Sequence, residues 1–183
     1  MIKPELLAPA GDLIKLKTAI DFGADACYIG GEEFSLRTAS DNFSFEDMKK
    51  GVEYAHSRGK KVYAACNIVA RNEDVSRFEE YIKKLYDTGV DAVIISDLGM
   101  FMMCKKIVPK LGVHISTQAN ITNYETCKAL YELGAERVVL ARELSLEEIK
   151  VIRDNTPKEL EIEAFVHGSM CMSHSGRCVL SNY

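Results

Sequence analysis

Positions 163 to 181 read Glu-Ala-Phe-Val-His-Gly-Ser-Met-Cys-Met-Ser-His-Ser-Gly-Arg-Cys-Val-Leu-Ser, gathering two cysteines, two histidines and two glycines in one short stretch. Cysteine thiolates ligate soft metals and iron–sulfur clusters. Six residues separate Cys171 from Cys178, more than the two to four usual in a zinc knuckle. Two thiolates are half a ligand set, and Cys66 is the other cysteine expected near the same face. A nucleophile is the alternative: Cys171 or Ser169 activated by His167 or His174. No familiar triad spacing accompanies them, and the sequence contains no HExxH zinc motif. Glu163, His167 and Ser169 are the candidate catalytic residues, with His167 suited to moving a proton. Cys171 and Cys178 are the candidate metal ligands.

These residues need a scaffold, and the sequence describes one. Short apolar runs rich in β-branched residues alternate with longer segments of helical period, as expected when helices connect parallel strands. Strands are expected at 5–8, 26–30, 61–67, 92–96, 113–117, 137–141 and 161–167. Helices are expected at 12–22, 46–58, 73–88, 98–109, 123–133 and 145–154. Ser145-Leu-Glu-Glu148 is a capping box, and Asp12 and Asp97 are expected caps. Gly23, Gly59, Gly89, Gly112 and Gly134 each follow a helical segment, where a left-handed residue can end it. Gly23-Ala-Asp-Ala-Cys-Tyr-Ile, Gly89-Val-Asp-Ala-Val-Ile-Ile and Gly134-Ala-Glu-Arg-Val-Val-Leu form a weak internal repeat, a helix stop feeding a buried strand. Seven such units in series predict an α/β fold, a (β/α)8 TIM-barrel-like domain over residues 1–183 that lacks its last unit. An open doubly wound sheet is the alternative.

In a barrel, chemistry belongs at the carboxyl ends of the strands. The residues expected there are polar: Glu32, Glu33 and Arg37; Asn67 and Arg71; Ser96 and Asp97; Ser116, Thr117, Gln118 and Asn120; Arg142 and Glu143; His167 and Ser169. Of these, Arg37, Asn67, Arg71, Gln118, Asn120, Arg142 and Glu143 form the candidate substrate-binding set. Its arginines either pair with the rim glutamates or grip a small carboxylate or phosphate ligand.

Composition narrows the field. With 47% hydrophobic and 27% charged residues the chain is ordinary for a globular domain, and it has no apolar stretch long enough to span a bilayer. The start, Met-Ile-Lys-Pro-Glu, lacks a secretory signal, so a cytoplasmic location is expected, with six reduced cysteines rather than three disulfides. Cys27, Cys104 and Cys127 read as small buried apolar residues. A net charge of −4 gives no general attraction to nucleic acid, and Lys49, Lys50, Arg58, Lys60, Lys61, Lys105, Lys106 and Lys110 read as solvated helix faces. A non-catalytic binding module is the weakest of the three function classes for that reason.

The stretch from Glu163 to Ser181 resembles the signature of the peptidase U32, or collagenase-like, family at Glu163, Phe165, Gly168, Ser169, Cys171, Gly176, Cys178 and Ser181. Leu7-Ala-Pro-Ala-Gly11, His114-Ile-Ser-Thr-Gln118 with Asn120, and Ala141-Arg-Glu-Leu144 resemble further family segments in the same order. The resemblance implies two incompatible activities. One is proteolysis, with Cys171 or Ser169 as nucleophile. The other is oxygen-independent hydroxylation of tRNA, rRNA or ubiquinone precursors, with prephenate as hydroxyl source in the tRNA members and a four-cysteine [4Fe–4S] cluster to which Cys171 and Cys178 contribute two ligands. Family members run to about twice this length, so the resemblance also implies that the other ligands lie beyond Tyr183, and the acidic balance of this chain leads to the expectation that any RNA binding needs that carboxyl-terminal part too. The cluster is then expected in the full-length protein and absent or incomplete in this chain.

Overall fold

The computed structural model describes residues 3–35, 42–168 and 173–176. Strand and helix alternate throughout: β1 (Leu7–Pro9), α1 (Leu13–Asp21), β2 (Ala26–Gly30), α2 (Phe45–His56), β3 (Lys61–Cys66), α3 (Asn72–Asp87), β4 (Ala92–Ile95), α4 (Leu98–Ile107), β5 (Gly112–Ile115), α5 (Tyr124–Glu132), β6 (Arg137–Val139), α6 (Leu146–Asp154) and β7 (Glu161–Glu163). The strands form one sheet in the order β1-β2-β3-β4-β5-β6-β7, every neighbouring pair parallel. Sequence order thus equals spatial order, the signature of a barrel rather than of a doubly wound sheet. Among the described residues β1 and β7 are the two edges of this curled sheet, which is a barrel short of its last strand.

Residue parity divides each strand between two environments. Cys27, Ile29, Val62, Ala64, Cys66, Val93, Ile95, Val113, Ile115, Val138 and Leu140 face the helices and join Leu16, Met48, Phe78, Ile82, Leu85 and Phe101 in the main core. Full burial of each of those helix side chains contributes about 1.5–3 kcal/mol. The opposite parity faces the barrel interior, where Ala26, Tyr63, Ala92 and Ile94 form a smaller cluster with Leu7 and Tyr28.

The expected caps are present. Asp12 accepts from the Lys15 N–H and Asp97 from the Met100 N–H, while Ser145 and Glu148 form the reciprocal capping box of α6. Gly23, Gly59, Gly89 and Gly134 have positive φ, as a helix stop requires. Gly112 differs: it is the first residue of β5. α4 ends instead at Val108, whose carbonyl accepts from Leu111, next to a proline that has no N–H to continue the helix. Gly112 is required for space, since a Cβ there would stand 3.0 Å from the Asp91 carbonyl oxygen and 2.9 Å from Glu136 Oε2. The seventh strand stops at Glu163, four residues before its expected end at 167, after pairing with β6 through Val139 and Glu163. Cys66 also departs from expectation. Its parity turns it into the helix-facing core, 1% exposed, and burial raises its thiol pKa well above the usual range, so it is no ligand beside the barrel mouth.

Candidate functional site at the barrel mouth

The segment leaving β5 is held in one shape by its own short side chains. Ser116 Oγ accepts from the Gln118 N–H at 3.3 Å and starts a tight turn at Thr117–Ala119, which ends on Asn120 in the left-handed conformation (φ 60°, ψ 51°). Asparagine tolerates that conformation better than most residues. Thr117 Oγ1 donates to the Leu140 carbonyl at 3.0 Å, and the Ala141 N–H donates to the Ile121 carbonyl at 2.9 Å. The exits of β5 and β6 are thereby tied together, which sets Asn120 beside Arg142 and Glu143.

That joined rim receives a piece of the cysteine-bearing stretch. The turn at His174–Gly176 carries Ser175 in a left-handed conformation (φ 52°, ψ 25°), which costs on the order of 1–3 kcal/mol and persists only where surroundings over-determine it. Those surroundings are visible. The Ser175 N–H donates to Glu143 Oε1 at 2.8 Å, its hydroxyl donates to Asn120 Oδ1 at 2.8 Å, and Arg142 Nη2 donates to the Ser173 carbonyl at 3.4 Å. Ser175 is completely buried. The bond from Ser175 holds the Glu143 carboxyl below its ordinary pKa, since a donated N–H favours the ionised form. Arg142 further lies 5.9 Å from the Phe165 ring centroid, and its Nε is buried with no partner among the described residues.

Of the residues singled out from sequence, the structure brings Asn120, Arg142 and Glu143 together. Gln118 is half-buried on the same turn and Asn67 is half-buried at the end of β3. Arg71 is exposed at the start of α3, where its backbone N–H donates to the Asp74 carboxylate at 2.8 Å. His167 is exposed after β7. Arg37, Ser169, Cys171 and Cys178 lie outside the described residues. The remaining cysteines, Cys27, Cys66, Cys104 and Cys127, are buried in the helix-facing core. Among the described residues no three His, Cys, Asp or Glu side chains converge as a metal site.

Glu163 occupies a second polar cluster, inside the barrel. Arg137, with a side chain only 7% exposed, donates to Glu161 Oε2 from Nε at 2.7 Å, to Glu5 Oε1 at 2.8 Å and to Glu163 Oε2 at 3.3 Å. Tyr63 donates to Glu5 at 2.9 Å and packs its ring against His114, with centroids 4.6 Å apart. Burial raises the Glu163 pKa despite Arg137, and burial followed by the charges of Arg137 and Lys61 pushes His114 down to about 3. His114 Nδ1 has no partner among the described residues. Sequence reasoning missed Arg137, Tyr63, His114, Glu5 and Glu161. The signal was the alternation of Glu161-Ile-Glu163, polar residues at one parity of a strand expected to be buried on both faces.

Residues 11–183 match the sequence profile of peptidase family U32. The chain belongs to this family. Among curated U32-like relatives, tRNA hydroxylation protein P1 of Bacillus subtilis (strain 168) is 46% identical over 99% of this chain, and tRNA hydroxylation protein P of Escherichia coli (strain K12) is 45% identical over 100% of it. The 23S rRNA 5-hydroxycytidine C2501 synthase of Escherichia coli (strain K12) is 38% identical over 97% of this chain. The chain spans 42%, 40% and 26% of those three proteins. Among solved structures, the U32 peptidase Mk0906 superposes with a TM-score of 0.72 at 19% identity, over 87% of this chain and 68% of that one. At that identity the likeness is one of fold, and it agrees with the U32 chain being an incomplete barrel.

Proposed function

We propose that this U32 chain is the barrel portion of an enzyme that hydroxylates RNA, tRNA in the first instance, without molecular oxygen, in the cytoplasm. The observation that carries the reading is the seating of the cysteine-flanked turn at His174–Gly176 on the rim at the carboxyl ends of β5 and β6, where barrel enzymes do their chemistry. Relatives named for tRNA and rRNA hydroxylation support it. Cys171 and Cys178 stand on either side of that turn in sequence and would supply two thiolates to a [4Fe–4S] cluster. The four cysteines of the helix-facing core do not fit that role, because they are buried away from the mouth. Two further ligands must come from the part of the full-length protein outside this chain.

A bound cluster supplies one-electron redox chemistry. This chain's own residues do the positioning. Asn67 and Gln118, half-buried at the ends of β3 and β5, orient a small carboxylate donor, for which prephenate is the candidate, and Arg71 or Arg37 meets its charge. His167, exposed after β7, would move a proton. RNA contacts come mainly from outside this chain, whose net charge of −4 is unsuited to holding a polyanion alone.

A peptidase is the competing reading. Its nucleophile would be Cys171 or Ser169, which lie outside the described residues. Ser175 Oγ, 3.4 Å from His174 Nδ1, is wholly buried and committed to Asn120, so it is no substitute for them. The deciding experiment measures iron, sulfide and visible absorbance in anaerobically purified full-length protein, together with hydroxylated nucleosides in RNA from cells lacking and regaining the gene. The expected result is about four irons per chain, lost in Cys171→Ala and in Cys178→Ala, with the modified nucleoside lost in parallel. An iron-free wild-type protein that hydrolyses peptides, and stops doing so only in Cys171→Ala, would establish the peptidase instead.

A further inference from the structure

The sequence alone gives Asn120, Arg142 and Glu143 the appearance of ligand-binding residues. Their contacts point elsewhere. All three side chains are directed at the turn of residues 173–176, and two of them meet a single residue: Glu143 takes the Ser175 N–H and Asn120 takes the Ser175 hydroxyl, each at 2.8 Å. Ser175 is fully buried in a left-handed conformation unusual for serine. A buried residue in a sparsely populated conformation, fixed through both its backbone and its side chain, marks a position that the surroundings specify. The specification comes from two loops that are themselves tied together by the Thr117 to Leu140 and Ala141 to Ile121 bonds, and Asn120 is itself left-handed. His174 adds a ring nitrogen 3.4 Å from the same hydroxyl.

We infer that Asn120 and Glu143 are positioning residues, a rim clamp that seats the Ser175 turn, which lies between Cys171 and Cys178 in sequence, rather than contacts to a substrate. Its bearing on iron rests on the reading that Cys171 and Cys178 ligate a cluster, since the clamp anchors the segment that joins them in sequence. A site assembled from a loop depends on supporting contacts of this kind, because thiolates on an unanchored segment lose affinity to the entropy of ordering it. Glutamate suits the task as an acceptor for a backbone N–H. Glutamine keeps an acceptor oxygen, and alanine does not.

Two measurements on the full-length protein test this. The first is amide hydrogen exchange at Ser175 in metal-free protein, comparing wild type, Glu143→Ala, Glu143→Gln and Asn120→Ala. We expect exchange at least about tenfold faster in both alanine variants, because the buried N–H opens more often, and rates near wild type in Glu143→Gln. Retention of far-UV circular dichroism checks that the barrel itself persists. The second is iron per chain after anaerobic reconstitution, expected to fall at least about twofold in both alanine variants and to recover in Glu143→Gln. Unchanged Ser175 exchange in Glu143→Ala overturns the clamp outright. Faster exchange with full iron loading shows that seating the turn does not aid cluster binding, and overturns the inference at that step. Iron missing from the wild type sinks the cluster reading instead, and exchange alone then decides whether the clamp exists.

Discussion

The barrel holds two clusters built from the same residue types, arginine and glutamate, and they do opposite things. Inside the barrel, Arg137 meets Glu5, Glu161 and Glu163, so side chains satisfy one another across β6, β7 and the lead-in to β1. At the mouth, Arg142 and Glu143 turn outward to the backbone of a segment some thirty residues later in the chain, accepting from Ser175 and donating to Ser173. The inner cluster closes on itself and pulls the two sheet edges towards each other. The outer one recruits. Charge identity alone therefore says little about role, and what matters is whether the partner belongs to the scaffold or to a loop brought in from elsewhere.

This contrast can be broken by mutation, and the largest effect is expected at the inner cluster. Arg137→Met leaves the partly buried Glu5 and Glu163 carboxylates without their cation, while Glu161 is exposed enough to be solvated. Removing one partner of a buried ion network typically costs about 3–5 kcal/mol, and the exposure of these carboxylates puts the expected loss at the low end, about 3 kcal/mol. Chemical denaturation should show that loss. A midpoint within error of wild type would mean that the inner cluster contributes little and that the curled sheet is held by its apolar core.

A pH-dependent effect comes next. His114 has a folded pKa of about 3 against an ordinary 6.5. The unfolded chain therefore binds a proton that the folded chain refuses between those values. The neutral ring's contribution is fully present above 6.5 and is lost as pH falls towards 3, with a slope approaching about 1.4 kcal/mol per pH unit from this group. His114→Leu should unfold at about the wild-type midpoint at pH 7 and lose less stability on acidification to pH 4. Identical acid limbs in the two proteins would show that His114 is protonated in the fold.

Smaller again is the helix cap. Ser145 Oγ accepts from the Glu148 N–H at 3.3 Å while Glu148 accepts from the Ser145 N–H at 2.8 Å, so Ser145→Ala should cost about 1 kcal/mol, read from the same denaturation curves. The smallest stability effect is expected at the mouth. Glu143→Ala should leave the unfolding midpoint where it is while freeing the Ser175 turn. A drop as large as that of Arg137→Met would erase the distinction between the two clusters.

How much of this was legible beforehand varies with the range of the forces involved. The six helices begin and end within two residues of their expected bounds because caps, glycine stops and apolar period are local. Gly112 departs from the helix-stop pattern because its role is steric, set by Asp91 and Glu136 just before the neighbouring strands. Cys66 was placed near the mouth by position along β3, although strand parity had already turned it towards the helices. The candidate rim set was assembled from strand ends alone, and Asn120, Arg142 and Glu143 did converge, but the turn they hold could not be foreseen because its contacts cross 31 to 55 residues.

By itself, then, the sequence determined the run of β and α units and the family to which the chain belongs, since each follows from local periodicity, capping and motif, while the order of the strands in the sheet, which separates a barrel from a doubly wound sheet, came from the structure. Only the tertiary structure decided which polar residues serve the scaffold and which serve the mouth. Glu163 pairs with Arg137 while Glu143 grips Ser175, and nothing local distinguishes two glutamates on neighbouring strand exits. The distinction arises when parallel strands bring distant segments within hydrogen-bond range, where burial and the available partner fix what each charge can do.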